Sequence, residues 1–290
     1  MTHDSMTKDL TVPSGGDRVF LIRPTKGWRL LDLRELWEFR ELVYFLTWRD
    51  IKVRYKQTAL GVAWAVLQPV ALMVVFTLFF GRLAKIPSEG IPYPLFAYAG
   101  LLPWQIFSRS ITDSANSLVR DQRLIAKVYF PRIIIPLAAT FAATLDFLIA
   151  ASLLIVLMVF YGAVPGSTIA ALPIFLLLMV LTALGIAFWL SALNVEYRDV
   201  TYLMPFLNQF LLFLTPVVYP STLVPSSMRV FYGLNPMVGV VEGFRWSLFG
   251  VGEGLSSMFL LSVGIAVGLF VSGILWFRHK EVTFVDVIGT

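Results

Sequence analysis

Cysteine is absent from the chain, and histidine occurs only at His3 and His279. The first absence excludes disulfides and thiolate metal sites and leaves the redox compartment open. The second leaves little imidazole for acid-base chemistry, and both histidines lie outside the apolar runs, where a Ser/His arrangement in a bilayer has no support. Charged residues make up only 14% of the sequence, against about 25% in an ordinary soluble domain. No phosphate-binding loop of the form GxxxxGKS or GxxxxGKT occurs, so this polypeptide is not expected to hydrolyse ATP by that route. HExxH, metal-spaced acidic clusters and filter-like motifs are missing too. The polar start MTHDSMTKDLTVPSGGDR lacks an apolar core followed by a cleavage site, and no secretory signal peptide is expected.

What is present is grease. Hydrophobic residues account for 58% of 290 residues, the composition of a membrane protein. A crossing helix needs roughly 20 mainly apolar residues, and six runs qualify, at about 61–83, 94–117, 134–161, 169–193, 202–219 and 255–277. The second is the least apolar, and the fifth is crowded by Pro205 and Pro216. The expected fold is an all-α membrane protein with six transmembrane helices. Residues 1–60 form a cytoplasmic tail and an amphipathic interface helix, and residues 61–290 form the six-span domain.

Six spans put both termini on one side, and the basic residues say which. Eleven Lys and Arg precede the first span, Arg120, Arg123, Lys127 and Arg132 fall in the loop between the second and third, Arg198 follows the fourth, and Arg278 and Lys280 follow the sixth. The other side receives Arg82, Lys85, Arg229 and Arg245, and Arg109 lies inside a span. That asymmetry assigns both termini to the cytoplasm. The net charge of +5 is thereby placed beside membrane lipids, and no nucleic-acid partner is expected.

The stretch TWRDIKVRYKQ sets Arg49, Lys52, Arg54 and Lys56 immediately before the first span, with Trp64 just inside it. Such a ramp is a topology signal worth up to about 1 kcal/mol per cation near anionic lipid, and it is also a candidate site for an anionic substrate headgroup. Upstream, LLDLRELWEFRELVYFLTWRDIKVRY has helical periodicity, with Leu33, Leu36, Trp37, Val43, Tyr44, Trp48, Ile51 and Tyr55 on one face and Arg40 interrupting it. It reads as a helix lying along the cytoplasmic interface, or alternatively as a core helix of a small N-terminal domain in which RVFLIRP forms a strand.

Ionisable residues inside spans are costly and need partners. Arg109 and Asp113 are spaced i,i+4 and can pair, and Asp146 on the third span lies at a similar depth. A structural ion-pair network and an ion relay both fit these three residues. In the cytoplasmic loops, Arg120, Arg123 and Lys127 share one face of a short helix that Pro131 stops, and Glu196, Arg198 and Asp199 sit in a compact turn. These charges suit docking to a soluble partner, or plain solvation. The last external connection is long and apolar. Within it Met237 to Leu248 forms a short helix carrying Glu242, Arg245 and Trp246, either external or re-entrant.

RDIKVRYKQTALGVAWAVLQP, KVYFPRIIIPLAATFAATLDFLIA, LNVEYRDVTYLMPFLNQF and NPMVGVVEGFRWSLFG, in this order between Phe20 and Phe277, resemble the permease subunit of bacterial type-2 ATP-binding-cassette exporters of lipid-linked polysaccharide, the O-antigen, capsule and teichoic-acid class. The resemblance implies a homodimer of six-span subunits in the inner membrane, bound to two copies of a separate nucleotide-binding subunit that holds ATP and Mg. It further implies that the N-terminal helix is the interface helix, that the Arg120 to Arg132 loop couples to the ATPase, and that Glu242 to Leu248 belongs to external gate helices. Trp64, Phe76, Tyr98, Trp104 and Phe107 are then candidates to face a glycan-wide channel, although lipid contact or helix packing is the more usual role of any single ring. No cofactor is expected on this chain. A cassette exporter of a small molecule would share this topology, and a membrane-embedded sugar-transfer enzyme would instead depend on Asp113, Asp146 or Glu242.

Overall fold

A computed structural model describes residues 33–56, 61, 63–252 and 254–284. The polar residues 1–17, the expected strand at 18–24 and Gln57 at the end of the basic ramp lie outside the described residues. Among those described, every regular element is a helix. In chain order they are α1 (Leu33–Glu38), α2 (Arg40–Lys56), α3 (Ala63–Phe76) with a π-helical continuation (Thr77–Leu83), α4 (Tyr93–Arg120), α5 (Gln122–Lys127), α6 (Ile134–Phe160), α7 (Leu172–Glu196), α8 (Val200–Leu214), α9 (Arg229–Gly233), α10 (Pro236–Phe249) and α11 (Ser257–Glu281).

Among the described residues, four stretches are long and apolar enough to cross a membrane: Ala63–Leu83, Ile134–Phe160, Ser167–Glu196 and Met258–Glu281. The other two expected spans correspond to α4 and α8, and each falls short for its own reason. The 28 residues of α4 run about 42 Å, ample length, but Arg109, Asp113 and a polar C-terminal half dilute the apolar run. The 15 residues of α8 cover only about 22 Å before Thr215 and Pro216 end the helix.

The core is built around α4. From Leu95 to Trp104 its side chains are buried on all sides, and the helix packs against α3, α6, α7, α8 and α10. Tyr98 lies wholly inside and donates its hydroxyl to the Ala150 carbonyl at 2.8 Å, which satisfies the buried O–H. On the far side α7 and α11 approach backbone to backbone: a Cβ on Gly185 would fall 2.7 Å from the Phe270 nitrogen. Small residues permit such contact between membrane helices, where van der Waals packing replaces the hydrophobic drive. Internal prolines at Pro69, Pro103 and Pro205 are tolerated in this environment because neighbouring helices re-satisfy the freed backbone groups.

The predicted helix at Met237 to Leu248 is α10, longer by one residue at each end. Asn235 caps it by accepting the Met237 N–H at 3.1 Å, Pro236 opens it, and Gly250, left-handed at φ 71°, closes it. The predicted N-terminal helix breaks at Phe39 into α1 and α2, and its apolar residues divide between two faces. Phe39, Leu42, Val43 and Leu46 turn to the bundle, whereas Trp37, Tyr44 and Trp48 are exposed. The reason is electrostatic: Asp50 and Arg54 have partners on α4 and α6, and satisfying them fixes the rotation of α2.

Candidate functional site

Two charged clusters clasp α2 to the bundle. In the outer one, Arg49 meets Asp50 at 2.8 Å and Asp121 at 2.7 Å, while Arg120 meets Asp50 at 2.7 Å and Asp121 at 3.7 Å, so two guanidiniums and two carboxylates form a closed ring. Burial alone would lower the Arg49 guanidinium, but hydrogen bonds to Asp121 and Asp50 hold it above its ordinary value. About one helical turn further along α2 lies the inner cluster. Arg54 reaches Asp113 and Asp146, each at 2.6 Å, and Arg109 reaches Asp146 at 2.6 Å. Tyr55 donates its hydroxyl to the other Asp146 oxygen. Its phenol is pushed up to about 12, chiefly by burial and then by this carboxylate, so it stays a donor.

Arg109 and Asp146 thus meet across α4 and α6, as their depths suggested. The expected i,i+4 partner of Arg109 is different: Asp113 takes Arg54 instead, because α2 brings a second guanidinium to both carboxylates. This also corrects the grouping of Arg54 with the recruiting cations. Arg54 is committed to the seam, and Arg49 is largely so. Lys52 and Lys56 face outward along a shallow groove of about 380 Å³ on α2, lined with them by Phe45, Trp48, Arg49 and Val53, and Lys52 sits 5.4 Å from the Trp48 ring centroid.

Beside the inner cluster opens a cavity of about 330 Å³ between α3, α4, α6 and α8. Arg109, Asp113 and Asp146 form part of its wall, and Trp64 and Trp104 form another. Trp64 is 50% exposed. Phe76, Tyr98 and Phe107 do not line this cavity: they are buried in the core of their own chain, so packing accounts for their rings.

The expected coupling residues divide similarly. Arg120 belongs to the charged ring, Arg132 donates its side chain to the Glu281 carbonyl and its N–H to the Glu281 carboxylate at 2.7 Å, and Glu196 accepts from Lys280 at 2.5 Å. Arg123 and Lys127 on α5 and Arg198 and Asp199 before α8 face outward, joined by exposed Val128, Tyr129 and Tyr197. Ile125 and Phe130 anchor this ledge in the core. At the opposite end, Arg245 is 1% exposed. It donates to the carbonyls of Phe96 at 3.3 Å, Pro216 at 2.6 Å and Val217 at 2.5 Å, and lies 3.6 Å from the Phe96 ring centroid. Glu242 stands 3.8 Å away and accepts the Ser221 N–H at 3.1 Å. Trp246 packs edge-on to Phe175. Gly100 leaves room for the guanidinium, since a Cβ there would collide with Arg245 Nη2 and lie 2.7 Å from the Val217 oxygen.

Sequence reasoning missed Asp50, Asp121, Tyr55 and Gln105. The signal for the first two was their place in RDIKVR and VRDQR, single acids flanked by arginines in the two basic loops. Nothing in the sequence singles out Gln105, whose Nε2 is buried without a protein acceptor.

Long apolar helices wrapped around a part-buried charged seam, with an outward-facing ledge at one end, define a multi-pass membrane protein. Residues 41–249 match the family of ABC-2 type transporters, and the chain belongs to that family. It is 32% identical over 216 residues to the O-antigen export system permease protein RfbA of Myxococcus xanthus, covering 73% of this chain and 82% of that protein. An RfbA permease of Klebsiella pneumoniae is 28% identical over 248 residues, covering 83% and 95%. The polysialic acid transport protein KpsM of Escherichia coli is 25% identical over 237 residues, covering 80% and 91%.

Proposed function

We propose that this chain is the membrane permease of an ATP-binding-cassette exporter that carries lipid-linked polysaccharide from the cytoplasmic leaflet across the bacterial inner membrane. The observation that carries the reading is the similarity to O-antigen and polysialic acid export permeases over most of both lengths. In this reading α3, α4, α6, α7, α8 and α11 are six spans and α2 is the interface helix. Both termini are cytoplasmic, as the distribution of Lys and Arg supports. Two copies of the chain pair, which would cover the outward aromatics of α8, Tyr202, Phe206, Phe210 and Phe213. Two copies of a partner ATPase bind ATP and Mg and dock on the ledge of Arg123, Lys127, Arg198 and Asp199.

The carrier lipid's phosphate is drawn to Lys52 and Lys56, which face outward beside the exposed rings of Trp48 and Phe45. ATP-driven closure of the partner subunits then opens the path past α8 and the α10 end, where Glu242, Arg245 and Trp246 form the outer gate. The test is export. In a strain deleted for the gene, the chain restores surface polysaccharide and co-purifies with an active phosphate-loop ATPase. A chain that restores nothing, or that is isolated without any ATPase from its native membrane, rules the reading out.

A further inference from the structure

Both segments that carry the outward ledge are tied to the end of the same helix. The α5 segment runs through Phe130 and Pro131 to Arg132, and the turn of Tyr197, Arg198 and Asp199 leaves from Glu196, the last residue of α7. Arg132 and Glu196 find their partners at adjacent positions in the last turn of α11. Arg132 donates its N–H to Glu281 Oε1 at 2.7 Å and its guanidinium to the Glu281 carbonyl, while Lys280 donates to Glu196 at 2.5 Å. These links join residues 149 and 84 positions apart in the sequence.

Each link is anchored from more than one side. Glu281 Oε2 accepts from Arg278 at 3.1 Å, so both carboxylate oxygens are held and the side chain keeps only 15% exposure. The residues before α6 supply no side-chain cap of their own. A carboxylate from another helix fills that place, at the end where the macrodipole of α6 favours negative charge. Lys280 lies 5.1 Å from the Trp276 ring centroid, and as a cation in the last turn of α11 it is favoured by the dipole of that helix. Ile125 of α5, Phe130, Val195 of α7, Phe277 and Phe284 all belong to one apolar cluster. Phe284 is wholly buried and meets Phe277 edge-on at 5.4 Å, so the chain just beyond α11 is fixed in the cluster that also holds both ledge segments.

We infer that Lys280 and Glu281 are positioning residues for energy coupling: they fix the spacing between the two ledge segments, and with it the template presented to a soluble partner. Neither belongs to the outward set of Arg123, Lys127, Arg198 and Asp199. Each acts through a residue that leads into that set, Glu281 through Arg132 and Lys280 through Glu196. The inference rests on the export reading for the identity of the partner, the ATPase. A partner that pushes on two segments moves the helices behind them together only if the segments keep a fixed separation. A ledge whose halves slid independently would still bind, but the stroke would be lost within it.

The chain has no cysteine, so a pair can be introduced for site-specific labelling. Tyr129→Cys and Tyr197→Cys, at exposed positions in the two segments, carry nitroxides in the full-length chain in lipid nanodiscs. Dilution with unlabelled chain isolates the distance within one protomer, read by double electron–electron resonance. One narrow distance is expected on the otherwise wild-type background. Glu281→Gln and Lys280→Met should each broaden it and the two together should broaden it most, whereas Lys280→Arg should keep it narrow. In the unlabelled complex with the ATPase, Glu281→Gln should retain co-purification and the KM for ATP, while export per ATP hydrolysed falls about tenfold, the shift given by loss of one charge-assisted hydrogen bond. A distance already broad in the wild type, an unchanged distance in the double variant, or unaltered export per ATP would each overturn the inference. Loss of the ATPase from Glu281→Gln would overturn it too, since the residue would then belong to the docking face. A chain that shows the narrow-to-broad change yet exports nothing and retains no ATPase removes the export reading alone. A wild type that exports, with an unchanged distance in the double variant, removes the positioning role alone.

Discussion

Replacing Asp146 by alanine should be among the most disruptive single changes in the bundle. Its carboxylate accepts from Arg54, Arg109 and Tyr55 and is itself buried. Removing the buried member of this part-buried network, in which the Arg54 and Arg109 side chains keep 19% and 38% exposure, leaves the others partly desolvated without compensation, a loss of up to about 3–5 kcal/mol. Asp146→Asn keeps an acceptor oxygen and the side-chain shape. It should lose less, on the order of the 1.5–3 kcal/mol that a charged hydrogen bond contributes. The ordering can be read from reversible unfolding of the purified chain in mixed micelles by titration with a denaturing detergent. Arg109→Met combined with Asp146→Asn should be less destabilised than the sum of the two single changes, with a coupling of roughly 0.5–3 kcal/mol. If Asp146→Ala unfolds within about 1 kcal/mol of the wild type, the cluster is not holding α2, α4 and α6 together, and a relay role for these carboxylates returns.

Neutralising Lys52 and Lys56 to Gln should reduce attraction to anionic lipid by about 1 kcal/mol per charge, seen as weaker flotation with phosphatidylserine vesicles and reduced export at unchanged protein level. Arg54→Gln should instead lower the unfolding midpoint, because its carboxylates lose their partner. Reversing charge with Arg123→Glu and Lys127→Glu should abolish co-purification of the ATPase and leave unfolding unaltered, since both side chains face solvent. Arg245→Met should cost several kcal/mol, on the order of 3 or more, by orphaning the carbonyls of Pro216 and Val217. Gly100→Ala should phenocopy it, as judged by protease sensitivity of the 215–220 segment.

Much of this architecture is legible in the sequence because hydrocarbon imposes simple rules. Runs of apolar residues locate α3, α6, α7 and α11, and the expected helix at Met237 to Leu248 falls within one residue of α10 at each end. The two ambiguous runs were the ones interrupted by Arg109 and Asp113 or by Pro205 and Pro216, and they became a helix sheathed in protein and a helix too short to cross unaided. The rotation of α2 was not legible. Periodicity grouped Val43, Tyr44 and Trp48 on one apolar face, whereas tertiary ion pairs through Asp50 and Arg54 turn Leu42, Val43 and Leu46 to the bundle and leave Tyr44 and Trp48 outward. For the same reason the cations of the ramp could be counted but not sorted. Whether an arginine serves a lipid or a neighbouring carboxylate depends on residues such as Asp113 and Asp146, about 60 to 90 positions away. Gln105 was invisible because an unpaired amide is a property of three-dimensional neighbours.

Asp121 stands at the junction where α4 ends and α5 begins, and it also holds Arg49 of α2. A push on the α5 ledge therefore has a short rigid route: through one carboxylate to α2, without crossing the greasy interior. Tilting α5 must either carry α2 along or open the ring formed by Asp50, Arg49, Asp121 and Arg120. In this sense α5 and α2 are two arms of one crank, and its pivot is made of charge.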